Sequence, residues 1–268
     1  MANKASHPGI SVITVNYNNA AGLENTILSV INQTCTDYEF IIIDGGSTDK
    51  SVEVIKSYTE KIDFWTSEPD NGTYHAMNKG IAQAKGDYCL FLNSGDTFYK
   101  HDTLENAIAK FDNSDIIYGN ALKVKPHHRR LIKYKKQLTP YDFYKTEPCL
   151  HHQASFIKLR LFEKFGMYNE AMKINADWEF FFRVIHLGKV STKYINQTIC
   201  VFDGTGLSNT LPQGSSKRVE ANVVKSDILK QHFTPSELNE FKMMENKELK
   251  NSFFFKLKNK ILYFSMKK

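Results

Sequence analysis

Four apolar runs in the first hundred residues each stop at a polar turn, and three of them lead into apolar residues at helical spacing. From Gly9 the chain reads ISVITV, then the polar NYNNAAG, then LENTILSVINQ, which is a buried strand, a loop and an amphipathic helix by periodicity and breakers. Phe40 to Ile43 ends in Asp44, Gly45, Gly46, Ser47, Thr48 and Asp49, and SVEVIKSY continues as a helix. FWTSE at 64–68 passes through the turn PDNG into YHAMNKGIAQAKG, where Ala76, Met77, Gly80, Ile81 and Ala84 fall at helical spacing. YCLFL at 88–92 then stops at Asn93, Ser94, Gly95 and Asp96. Strands alternating with helices predict an α/β fold with an open, mostly parallel, doubly wound twisted sheet flanked by helices. In such a fold, ligands bind along the carboxyl edge, where the polar loops collect.

Beyond Asp115-Ile116-Ile117-Tyr118 the pattern is harder to read, and short strands with irregular acceptor-side structure are expected. Helical spacing resumes at LFEKFG and DWEFFFRVIHLG, NQTICVFDGTGLSN reads as a strand entering a glycine-containing loop, and the last sixty residues read as helical. No apolar run reaches the ~18 residues of a spanning helix and the opening MANKASHPG carries no signal-peptide core, so a cytoplasmic protein is expected. Cys35, Cys89, Cys149 and Cys200 are scattered without a CxxC pair, which suits structural thiols in a reducing compartment. The net charge of +6 is uneven: residues 123–136 read KVKPHHRRLIKYKK, and the tail from Lys250 to Lys268 has six lysines and no acid. For the first segment a solvated basic face or a phosphate-facing loop outranks nucleic-acid binding, because no nucleic-acid fold motif accompanies it.

Asp44, at the end of an apolar strand and followed by Gly-Gly, suits a turn that offers amides to a nucleotide, though a helix cap at Asp44 or Asp49 explains the same letters. Asp96 could hold a divalent ion against two phosphates, or cap the next segment. Asp177 opens an aromatic-rich helix where a base could be partly desolvated, and Arg183, six residues on, reads as a structural ion pair or a phosphate ligand. His151 and His152 lack metal-motif spacing.

Taken in order, these segments resemble the family 2 glycosyltransferases with a GT-A fold, most strongly over residues 9–100. ISVITVNYNN is similar to that family's first strand and loop, IIIDGGSTD to its nucleotide-binding acidic loop, EPDNGTYHAMNKGI to its donor-site helix and FLNSGD to its DXD-type motif. The resemblance implies a GT-A domain over 1–210, with a nucleotide-sugar half at about 9–120 and an acceptor half at about 121–210, and a helical C-terminal extension over 211–268. It also implies that Thr14, Tyr17 and Asn18 line the base pocket and that Asp44 contacts the nucleobase. Gly45, Asn78, Lys79, Ser94 and Gly95 would contribute to the nucleotide-sugar site, and Asp96 would hold Mg2+ or Mn2+ on the diphosphate. ADWEF is similar to the motif that supplies the catalytic base, which makes Asp177 the candidate, with His152 and Arg183 near the donor. The chain departs from the pattern at Asn93 and Gly95, where acidic residues often stand, and at His75, where relatives often carry Asp.

The activity so implied is inverting transfer of a sugar from a nucleotide-diphosphate donor to an acceptor hydroxyl, in surface-polysaccharide synthesis. Two competing readings are a non-catalytic nucleotide- or glycan-binding module with a degenerate site and a sugar nucleotidyltransferase. The latter lacks its Gly-rich, basic opening here. In KNSFFFKLKNKILYFSMKK the lysines alternate with Phe254, Leu257, Ile261 and Phe264, which suits an interfacial helix on the anionic inner face of the membrane or a helix packed on the domain. The former would place the enzyme peripherally, beside a lipid-linked saccharide acceptor.

Overall fold

The computed structural model describes residues 9–145, 149–204 and 215–248, with the single residues 212 and 250. The tail positions Phe254, Leu257, Ile261 and Phe264 lie outside the described residues. The first half is built as its periodicity predicts, from β1 (Ile10–Asn16), α1 (Ala20–Ile31), β2 (Tyr38–Asp44), α2 (Ser51–Ser57), β3 (Phe64–Ser67), α3 (Thr73–Gln83) and β4 (Tyr88–Phe91). Every residue of β1, β2 and β4 is buried, because a parallel strand covered on both faces has no solvent side. Alternate residues therefore feed two cores: Ile13, Ile41 and Met77 belong to one, Val12, Phe40 and Leu23 to the other. Gly80 of α3 lies so close to β1 that a Cβ there would come within 2.5 Å of Ile13 Cγ2.

The second half adds β5 (Thr97–Phe98), α4 (Thr103–Ile108), β6 (Ile116–Lys125), β7 (His128–Ile132), α5 (Pro140–Tyr144), β8 (Ser155–Lys158), α6 (Arg160–Phe165), α7 (Ala176–Phe181), β9 (Thr192–Asp203) and α8 (Ser216–His232). A last helix runs over 235–248, opened by a reciprocal cap in which Glu237 and Thr234 exchange hydrogen bonds. The described strands form one sheet in the order β3-β2-β1-β4-β8-β6-β9-β5, with β7 beside β6. Parallel registers hold most of the paired residues, including the long β6–β9 pairing, while β8, β5 and β7 join antiparallel. The basic segment, where short strands and irregular structure are expected, forms a regular hairpin of β6 and β7, with Lys123 opposite Arg130 and Lys125 opposite His128. Its regularity comes from β9, which pairs with the far side of β6 and holds it extended. β2 leaves β1 to one side and β4 lies on the other, so the chain direction reverses between β1 and β4. The crevice opens at the carboxyl ends of those strands.

α7 continues into a π-helical stretch at Phe182–Leu187. Its aromatic side chains bind the C-terminal helices to the domain: Phe182 packs on Phe233 at 6.1 Å, and Phe233 on Phe241 at 5.3 Å.

Candidate active site

The loops after β1 and β2 are tied into one unit through Asp44, which is fully buried. Its carboxylate accepts from Asn16 Nδ2 (2.7 Å), Ser47 Oγ (2.6 Å), Ser47 N (2.9 Å) and Ser67 Oγ (2.6 Å). Burial alone would raise the Asp44 pKa; the hydrogen bonds from Ser47, Ser67 and Asn16 outweigh it and hold the group below the usual carboxylate range. Asn18, in left-handed backbone at φ 49°, accepts from Thr48 N (2.8 Å) and donates its own N–H to Ser47 Oγ. Tyr17 stands 65% exposed at the rim. A Cβ on Gly45 would lie 3.3 Å from the Tyr17 ring and 2.5 Å from Asp70 Oδ2, so these three meet at one point on the crevice wall. Thr14 lies two residues below the edge, fully buried, its Oγ1 without a hydrogen-bond partner.

The turn after β4 is fixed from α1. Thr26 Oγ1 donates to Asp96 O (2.7 Å) and accepts from Gly95 N (2.9 Å), and Asn19 Nδ2 donates to Ser94 O (3.1 Å). Gly95 adopts φ +100°, a conformation that favours glycine. This turn aims the Asp96 carboxylate inward, where it is 5% exposed and accepts from Gln153 Nε2 (3.2 Å) and Asp203 N (3.1 Å). Burial pushes its pKa up to about 6 against the lowering from Asp203 N–H, His152 and Gln153. Two more oxygens, Asn93 Oδ1 and Gln153 Oε1, are buried there without partners. A buried carboxylate beside orphaned amide oxygens suits a hard divalent cation. No group of three or more His, Cys, Asp or Glu among the described residues could hold an ion, so the fit requires phosphate oxygens from a ligand.

Asp177 sits in the first turn of α7, and both of its oxygens are engaged. Oδ2 is 3.1 Å from His152 Nδ1, and Oδ1 accepts from Tyr74 OH at 3.2 Å. Desolvation would raise the Asp177 pKa, but the His152 hydrogen bond and the charges of His152 and His151 bring it below the ordinary value. The other ring nitrogen of His152 meets Asn93 Nδ2 at 3.3 Å, and Phe91 packs edge-on to the ring. The adjacent residues His152 and Gln153 thus link two carboxylates that are 81 positions apart in the chain, His152 through Asp177 and Gln153 through Asp96.

Other expected site residues are engaged in the framework. Asn78 is buried and holds the backbone of Tyr168 from both directions (2.9 and 3.0 Å) as well as Glu170 (2.8 Å). Lys79 pairs with Glu68 at 2.9 Å. All five N–H donors of Arg183 are engaged, by Glu179 and by the carbonyls of Phe165, Gly166 and Met167. The structure therefore gathers Asp96, Asp177 and His152 with Asn93, and does not bring Arg183 into hydrogen-bonding contact with them. Sequence reading missed Gln153, Tyr74, Asp70, Ser67 and the Asp203 backbone. Gln153 carried a signal, its place beside His152; the Asp203 amide reaches Asp96 only through β5–β9 pairing.

The family model described as Glycosyl transferase family 2 matches residues 11–172. A PGL/p-HBAD biosynthesis glycosyltransferase of Mycobacterium bovis is 31% identical over 211 residues, spanning 76% of this chain and 80% of that protein. An uncharacterized glycosyltransferase of Mycobacterium tuberculosis is 34% identical over 213 residues, 76% of this chain and 78% of its own. Among solved structures, S. aureus TarS 1-349 in complex with UDP-GlcNAc superposes with a TM-score of 0.68 at 18% identity, over 87% of this chain and 70% of that one. This chain spans only 42% of a longer TarS structure. A mannosyltransferase of Pyrobaculum calidifontis in complex with GDP-Man and Mn2+ reaches 0.60 at 17%, over 87% and 68%. At those identities the structures speak for the fold, while the family model and the mycobacterial relatives speak for descent. The chain belongs to glycosyl transferase family 2.

Proposed function

We propose that this chain moves a sugar from a nucleotide-diphosphate donor to an acceptor hydroxyl by a single in-line displacement with inversion, Asp177 being the base. The observation that carries the reading is the convergence of Asp177, held by His152 and Tyr74, with the buried Asp96, held by Gln153, on one sheet edge. A carboxylate whose pKa lies below the ordinary value is ionised at neutral pH and able to take the hydroxyl proton as the new bond forms. His152 keeps it oriented. Mg2+ or Mn2+ held by Asp96, with Asn93 and Gln153 nearby, would neutralise the departing diphosphate. The UDP-GlcNAc and the GDP-Man with Mn2+ in the two structural neighbours support this donor class and this metal. The name of the Mycobacterium bovis relative, a PGL/p-HBAD biosynthesis glycosyltransferase, supports a surface glycan or lipid-linked acceptor. A peripheral position at the inner face of the membrane goes with that acceptor; no described helix is long and apolar enough to cross a bilayer. The nucleotide half at about 9–120, the acceptor half at about 121–210 and the C-terminal extension over 211–268 remain the proposed division of labour.

The test is a thermal-shift screen with UDP, GDP, dTDP and CMP, with and without Mn2+, on the wild type and on Asp96→Ala. A metal-enhanced response to one nucleotide that Asp96→Ala loses supports the reading and names the donor class. Binding without transfer or donor hydrolysis would favour a binding module instead.

A further inference from the structure

A cavity of about 460 Å3 lies between the start of α7 and the two C-terminal helices. Its volume falls in the range of small-ligand sites, ~300–1,000 Å3. Asn175 and Trp178 line it from the α7 side, Asn222 and Lys225 from α8, and Lys242 and Glu245 from the last helix. With Lys230 also present, the lining holds three lysines against one carboxylate.

Lys225 is the unusual group. Its ammonium has three donors, and it gives one to Lys145 O at 2.6 Å while lying 4.9 Å over the Trp178 ring. That ring is also stacked on Phe182 at 5.5 Å and 14°. No carboxylate among the described residues pairs with Lys225 within ion-pair distance. Burial pushes its pKa down to about 8. An amine fixed against an indole, with donors to spare and only the longer-range pull of Glu245 across the cavity, has room for a directly bound anion. Asn175, which lines the cavity, holds left-handed backbone at φ 67° immediately before α7, a conformation asparagine tolerates better than most residues. Asp177 lies between Asn175 and Trp178 in the chain, and the buried Cys149 is within electrostatic reach of both Lys225 and Asp177.

We infer that this cavity binds an oxyanion, phosphate or carboxylate, carried by a hydroxyl-bearing ligand, with Lys225 as its counter-ion and the asparagine amides as its hydroxyl contacts. Resting on the reading of Asp177 as base, the ligand is the acceptor: an anionic group anchored beside the start of α7, where Asn175 and Trp178 flank Asp177 in the chain, orients the attacking hydroxyl, and remote binding energy of this kind serves positioning.

The experiment is calorimetry on the full chain in EDTA, so that no metal sits at Asp96, with inorganic phosphate, glucose 1-phosphate and glucose as probes. Glucose 1-phosphate is expected to bind more tightly than phosphate, and glucose not measurably. Lys225→Met is expected to weaken glucose 1-phosphate about tenfold or more, Lys225→Arg to retain it, and both to leave the nucleotide-induced thermal shift unchanged. Should Lys225→Met fail to fold, acetylation of the wild type at pH 8, read by mass spectrometry, replaces it: glucose 1-phosphate should protect Lys225. Equal binding of glucose and glucose 1-phosphate, an unaffected Lys225→Met, or no protection overturns the inference. If nucleotides fail to bind while Lys225 still governs glucose 1-phosphate, the transferase reading falls and the oxyanion site stands. If nucleotides bind and Lys225 is indifferent, only the oxyanion site falls.

Discussion

At the scale of single residues, the two carboxylates of the site are tuned in opposite directions by their partners. Asp177 has charge and hydrogen bonds from His152 and is held ionised; Asp96 has mainly burial and is held partly protonated near neutral pH. Asp177→Asn is expected to leave nucleotide affinity intact and to lower transfer by ~10²–10⁴-fold, the usual size of a general-base contribution, in a steady-state assay once the donor is known. Near-native turnover would remove the base assignment. His152→Ala withdraws the group that lowers the Asp177 pKa, so kcat should fall and the acid limb of the pH–rate profile should move to higher pH. A merely structural defect would lower the plateau without moving the limb. For Asp96 the linkage runs the other way. Its folded pKa of about 6 lies above the ordinary value of 3.8, so the native state holds the proton more tightly. The contribution of Asp96 to stability is fullest below about pH 4 and is lost as pH rises through about 6. Metal-free Asp96→Asn should therefore be more stable than the wild type above pH 6, by roughly 2–3 kcal/mol, and equal to it below pH 4. Melting curves across pH 4–8 check this, and a mutant that never exceeds the wild type would refute the buried-charge account.

Among the elements, α3 shows how a helix can be readable in sequence while its placement is not. YHAMNKGIAQ has helical periodicity, but only the structure shows Gly80 seated on Ile13, with no room for a methyl group. Gly80→Ala gains about 1 kcal/mol of helix propensity and meets an overpacking cost of about 1–3 kcal/mol against Ile13; urea denaturation should show a net loss. The α7 helix was equally legible as an aromatic-rich segment with a carboxylate at its start. Its π-helical continuation, and the use of Arg183 to clamp the 165–167 turn, were not, because the carbonyls that occupy the guanidinium come from another part of the chain. Short strands were legible around β6 and β7, but their pairing as a regular hairpin was not, for a related reason: the basic residues obscure the alternation, and β9, which holds β6, lies some seventy residues downstream.

Across the whole molecule, the C-terminal helices share a core with α7: Leu229 and Phe233 belong to the same buried cluster as Trp178 and Phe182. Phe233→Ala is expected to cost about 3 kcal/mol and to loosen the cavity around Lys225 before it affects nucleotide binding, since the proposed nucleotide half is organised around α1, α3 and Asp44. Parallel urea titrations and thermal-shift measurements with the nucleotide would separate the two. The thiols fit the same picture of a closed interior: Cys89, Cys149 and Cys200 are buried and unpaired, and burial raises the pKa of each.

The sequence by itself determined the alternation of strand and helix over residues 9–100, the edge on which the polar loops collect, and the candidacy of Asp44, Asp96, His152 and Asp177. These are local properties: strand burial is written in unbroken apolar runs, turns in glycine, and the carboxylates stand at element ends. Tertiary structure decided which candidates act together. Gln153 on Asp96, Tyr74 on Asp177, Asn93 on His152 and the Lys225 cavity all depend on side chains brought across tens of residues by sheet order. That order is set by long-range hydrogen bonding and packing that no local pattern encodes.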